Sequence, residues 1–75
     1  MSRMISKEAL EQLRKKYPPG TRIELISMND PYNTKLKPGD LGTVVLVDDA
    51  GTIHTAWDCG SGLGIVYSED SCRPV

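Results

Sequence analysis

Seventy-five residues with nine Lys and Arg against ten Asp and Glu, a formal net charge of −1, describe one small near-neutral domain and exclude a multidomain reading. With 39% hydrophobic residues and no Phe the chain has few large side chains to bury; a domain of this size buries only about 60% of the surface its unfolded chain exposes, so an oligomer or a bound partner would add to its stability. No stretch approaches the roughly 18 consecutive apolar residues of a membrane span, and Met1-Ser2-Arg3-Met4-Ile5-Ser6 lacks the apolar run of a signal peptide, so a cytoplasmic protein with Cys59 and Cys72 as free thiols is expected; export would instead make a bridge between them plausible.

The first element is a short helix, and residues 1–17 are assigned to it. Ser6 has N-cap chemistry, Glu8 falls in the first turn, and Ile5 is placed to staple against Leu10. Leu10, Leu13 and Tyr17 recur at helical spacing, with Glu11 and Lys15 paired four residues apart on the other side. A helix of about twelve residues is marginal alone, so it either packs on the rest of the domain or docks on something else. Pro18-Pro19-Gly20 ends it.

Residues 18–75 read as β-structure. Arg22 to Met28 alternates partially, Asn29 to Lys37 is a polar loop, and Pro38-Gly39 has the residues of a type II turn before Leu41 to Val47, a second strand rich in β-branched side chains. Asp48-Asp49-Ala50-Gly51 is a hairpin turn into Thr52 to Trp57, where Ile53, Thr55 and Trp57 share a face. Asp58 to Gly62 is the next turn, Leu63 to Val66 a fourth strand and Cys72 to Val75 a fifth. Closely spaced strands with turn signals between them predict a mainly β fold, a small SH3-like antiparallel barrel of about five strands preceded by one α-helix, because closure removes exposed edges. An open meander with the helix on one face is the alternative.

The run Tyr17-Pro18-Pro19-Gly20-Thr21-Arg22-Ile23-Glu24-Leu25, followed by Met28-Asn29-Asp30-Pro31-Tyr32, resembles the opening of the domain of unknown function 4314. So do the later blocks Pro38 to Val44, Val47 to His54 and Trp57 to Ser61, and the resemblance covers residues 14–73. It implies a short protein of bacteria, phages or other mobile elements, similar to SH3-like barrels, and it brings no established activity. The family tends to have Asn where this chain has Cys59, which weakens any reading of Cys59 as a shared functional thiol.

Catalytic and metal chemistry find little support. His54, Cys59 and Cys72, with Asp58, are the one conceivable ligand set, but neither a Cys-x-x-Cys knuckle nor paired histidines are present, so no metal and no cofactor are expected. A Cys/His nucleophile pair lacks an orienting partner, so the chain is read as non-enzymatic. Gly60-Ser61-Gly62-Leu63-Gly64 imitates a phosphate loop, yet a strand and not a helix is expected to follow it, and a hairpin requiring positive φ explains the glycines better.

A binding module is the expectation that remains, for an unidentified protein or peptide or for a second copy of the chain, with no membrane role. Its candidate residues are Asp30 and Tyr32 in the polar loop, with His54, Trp57 and Tyr67. Trp57 is in phase with Ile53, which favours the core over a binding groove. Residues 1–37 hold eight basic side chains against four acidic, and residues 38–75 one against six, an asymmetry compatible with head-to-tail association or with a solvated charged surface. The alternative is an accessory nucleic-acid binder using Arg14, Lys15, Lys16, Arg22, Lys35 and Lys37, against which the sequence pI of about 5.7 argues.

Overall fold

A computed structural model describes residues 5–29, 35–67 and 69–75, which form one helix, α1 (Lys7–Lys16), and four strands, β1 (Arg22–Ser27), β2 (Leu41–Val47), β3 (Ile53–Trp57) and β4 (Ser71–Pro74). Ser6 caps α1, its hydroxyl accepting the Ala9 amide at 3.1 Å, and the Tyr17 N–H closes the far end on the Leu13 carbonyl at 2.9 Å. Glu8 in the first turn and Arg14, Lys15 and Lys16 in the last complement the helix dipole. A ten-residue helix is not stable alone in water; α1 is held by Leu10 and Leu13, half-buried against the core, and by Tyr17, which is buried in it. Of the two alternatives the sequence left open, packing on the domain itself is the one the helix takes. Ile5 lies against the turn at Gly51, where a Cβ would come within 3.1 Å of its Cδ1.

Two Pro-Gly turns start β1 and β2. Gly20 (φ +93°) sits third in a turn closed by the Thr21 N–H on the Pro18 carbonyl at 3.1 Å, and Gly39 (φ +97°) takes the same place in a turn closed by Asp40 on Lys37 at 3.0 Å. Proline second and glycine third are what a type II turn requires. The chain reverses again at Asp48, whose carboxylate accepts the amides of Ala50 and Thr52 at 3.0 and 2.9 Å.

The sheet is antiparallel in the order β3-β2-β1-β4. Ile23, Leu25, Val44, Val47, Ile53 and Trp57 form its buried face with Tyr17, Leu36 and Ile65. Gly42 is paired with Trp57, and a Cβ there would lie 2.7 Å from both the indole Cε3 and the Thr55 Cγ2, so this close approach is one that only glycine fits. Register shifts between Val44 and Leu46 and between Leu25 and Ser27 each insert one residue into the ladder. A bulge breaks the two-residue period, which is why Val45 and Leu46 are both exposed while Val47 returns to the core.

The expected five strands are four. Leu63 to Val66 contributes a single bridge, Ile65 on Ile53, because the Leu63 carbonyl is taken by the Trp57 indole N–H at 2.7 Å instead of by a ladder. Gly60 has the expected positive φ (+95°), but Gly62 and Gly64 do not; Gly64 is instead crowded, with a Cβ falling 2.7 Å from the Thr52 Cγ2. Among the described residues β3 and β4 do not pair with each other, so the architecture is one four-stranded sheet with a helix rather than the closed barrel the sequence suggested.

Both edges of this open sheet are managed. Ile53 bonds the Ile65 backbone twice at 2.9 Å, and Trp57 N–H reaches the Ser61 carbonyl at 3.2 Å. On β4 the pairing Glu24–Arg73, with the Val75 N–H on the Arg22 carbonyl, turns the backbone groups of residues 72 and 74 outward. The outward Cys72 carbonyl accepts the Tyr17 hydroxyl at 3.3 Å, and Pro74 has no N–H to expose.

Candidate functional site

A groove of about 250 Å³ lies between α1 and the two edges of the sheet. Leu13 and Tyr17 line it from the helix side, Ile53 from β3 and Cys72 from β4, so both edge strands border the same space. Ile65, buried, completes an apolar floor. Tyr67, 39% exposed, Asp70 and Ser71 supply its polar lining.

Local chemistry sets each of these groups. Burial pushes the Tyr17 phenol up to about 12, and its contacts with Cys72 act the same way, so it is a fixed neutral donor. Burial also pushes the Cys72 thiol up, outweighing the opposite pull of Tyr17 and Lys16, which leaves it a poor nucleophile. Asp70 is oriented by two backbone donors, Asn29 N–H on Oδ1 at 2.8 Å and Val66 N–H on Oδ2 at 2.9 Å. An apolar floor with two tyrosines and one oriented carboxylate is suited to holding a side chain.

Of the described residues singled out from sequence for partner binding, only Tyr67 lines this groove. Trp57 is a core residue, 3% exposed, that ties down the following turn through Leu63. His54 lies on the outer face of β3, its Nε2 2.9 Å from Asp48 Oδ2. Asp30 and Tyr32 lie outside the described residues. The basic candidates are dispersed: Arg14 donates to the Val47 carbonyl at 3.3 and 3.2 Å and pairs with Asp49 at 2.8 Å, while Arg22 pairs with Asp58 at 2.6 Å and donates to Thr43 at 2.8 Å. Lys16 stands over the Tyr17 ring, 5.5 Å from its centroid, and Lys15, Lys35 and Lys37 are exposed.

Leu13, Tyr17 and Asp70 were missed as groove residues. The helical spacing marked Leu13 and Tyr17 as apolar, but whether they faced a groove depended on which strand edge the helix covers. Asp70 was not marked by the sequence because one of the two amides that orient it, that of Asn29, lies 41 residues away, and its place beside the groove depends on the packing of the helix. Cys59 is exposed in the turn after β3 and Cys72 is half-buried on β4, and among the described residues no three His, Cys, Asp or Glu side chains gather. Among those residues, too, no helix is long and apolar enough to cross a membrane.

A family model described as domain of unknown function (DUF4314) matches residues 6–75. The chain belongs to the DUF4314 family. The match takes in α1 and all four strands of this DUF4314 domain, hence every element that borders the groove. No curated protein and no solved structure matches the chain significantly.

Proposed function

We propose that this DUF4314 domain is a non-catalytic binding module that receives a segment of another protein in the groove between α1 and the sheet edges. The observation that carries the reading is the groove itself, an apolar floor of Leu13, Ile53 and Ile65 beside Tyr67 and Asp70. The half-exposed tyrosine supports it further, as amphipathic rings favour interfaces with one apolar and one wet side. Two basic side chains of the first half are engaged inside the fold by acidic ones of the second, Arg14 by Asp49 and Arg22 by Asp58, which weakens head-to-tail association and favours a foreign partner.

The finer fold reading is an SH3-like barrel opened at one seam, supported by the two edge strands that border one groove. A bacterial or mobile-element cytoplasm is the setting the family resemblance suggests. Nucleic-acid binding is the weaker reading, since Arg14 and Arg22 among its basic candidates are engaged in ion pairs.

The test is selection from a displayed random-peptide library against the wild-type domain, followed by comparison of Tyr67→Ala with His54→Ala, which alters the outer face. Capture of the selected peptides should fall with Tyr67→Ala and persist with His54→Ala. The reverse pattern would overturn the assignment of the groove.

A further inference from the structure

We infer that the groove is a receptor for a cationic side chain, a Lys or Arg presented by an extended peptide, with its methylenes on the apolar floor and its charge at Asp70. The inference rests on the binding-module reading above and names the chemistry of its ligand.

Asp70 carries the argument. Three of the acidic residues on the β-structure pair with arginine, Asp49 with Arg14, Asp58 with Arg22 and Glu24 with Arg73, and Asp48 meets His54. Asp70 lines the groove, and among the described residues no Lys, Arg or His side chain pairs with it. Its two oxygens each accept one backbone amide, from Asn29 and Val66, which fixes the carboxylate and leaves each oxygen a further lone pair. The acceptor is thus oriented before any ligand arrives, so little ordering remains to oppose binding.

The rest of the groove matches the same ligand. Leu13, Ile53 and Ile65 offer apolar surface to the stem of a long cationic side chain, which lies on such surface while its head stays wet. Tyr67, 39% exposed, adds an aromatic side chain to the same lining. The volume of about 250 Å³ is below the roughly 300–1,000 Å³ of sites for drug-sized ligands and fits one side chain. Addition of the peptide as a further strand on β4 is disfavoured, because Tyr17 occupies the outward Cys72 carbonyl and Pro74 lacks a donor; the side chain, not a backbone ladder, makes the contact.

The experiment titrates the wild-type domain with three capped tripeptides, acetyl-Val-Lys-Val-amide and its norleucine and Glu counterparts, following backbone amide NMR shifts at low and high salt. The Lys peptide should produce saturable shifts at Tyr67, Asp70 and Ser71, bind about fivefold more tightly than the norleucine peptide, and lose that advantage at high salt. Equal binding of the Lys and norleucine peptides would overturn the inference while sparing the module reading, as would tighter binding of the Glu peptide. The ligand series leaves the protein intact, which matters because Asp70→Asn turns an amide nitrogen toward one of the two backbone donors and risks the loop. Tyr67→Leu is the companion variant and should weaken the Lys peptide more than the norleucine peptide. A concentration-dependent dimer in light scattering whose interface shifts are those of the groove would assign the site to a second copy and overturn both readings.

Discussion

Replacing Gly42 by Ala adds one methyl group where the strand backbone lies close against Trp57 and Thr55. That Cβ would lie 2.7 Å from Trp57 Cε3, 3.0 Å from Trp57 Cδ2 and 2.7 Å from Thr55 Cγ2. Neither neighbour has room to retreat: Trp57 is 3% and Thr55 4% exposed, and the indole N–H is anchored on the Leu63 carbonyl at 2.7 Å. Overpacking of this kind costs about 1–3 kcal/mol. Set against the roughly 4–11 kcal/mol expected for a domain of this size, the loss is large. It corresponds to a fall in Tm of roughly 5–20 °C, at about 4–8 °C per kcal/mol. Thermal melting followed by fluorescence of the single Trp reads both stability and the environment of the ring that must move. Gly62→Ala is the internal control, since no atom lies within 4 Å of its Cβ and its φ is not positive, and it should shift Tm by less than about 3 °C. Equal melting temperatures for Gly42→Ala and wild type, with an unchanged emission maximum, would refute the packing argument.

Three further outcomes follow from the same structure. Tyr17→Phe leaves the outward Cys72 carbonyl without its 3.3 Å donor and should destabilise by about 1 kcal/mol in denaturant titration, an effect absent if the hydroxyl were simply solvated. In spectrophotometric titration of the wild type, one tyrosine should ionise only near pH 12 or with alkaline unfolding, and Tyr17→Phe should remove that late phase; its folded value above the ordinary 10 means its contribution is full below about pH 10 and is lost as pH rises toward 12. The hydrogen bond with His54, then the Thr52 amide, hold the Asp48 carboxyl below its ordinary value, so its contribution is full above about pH 4 and lost as pH falls through the folded value. The difference in Tm between wild type and Asp48→Asn should narrow as pH drops below about 4, and a difference independent of pH would contradict the assignment.

The parts of the fold that were legible in the sequence are those with local causes. Ser6 as a cap, the Pro-Gly turns at Gly20 and Gly39, the Asp48 turn and the phase of Ile53, Thr55 and Trp57 each depend on residues a few positions apart. The fourth expected strand failed for a non-local reason, the capture of the Leu63 carbonyl by an indole six residues earlier. Both bulges were invisible too, because they come from the register of one strand against another and not from the run Val44-Val45-Leu46-Val47 read alone.

The candidate site was less legible. Tyr67 was among the candidates for partner binding, but a groove bordered by residues 13, 53 and 70 exists only once the helix lies against both sheet edges. The charge asymmetry of the two halves left association and a solvated surface both open, and two of its basic members find acidic ones across 35 and 36 residues of chain, Arg14 at Asp49 and Arg22 at Asp58. Long-range pairing of that kind leaves no periodic trace.

The most direct measurement of the central claim is the amide shift map of the wild-type domain saturated with a peptide recovered by selection. The account expects the largest shifts at Leu13, Ile65, Tyr67, Asp70 and Ser71, with little change at His54, Val45 and Leu46 on the outer face. Shifts concentrated on that outer face, with the groove residues unmoved, would contradict it.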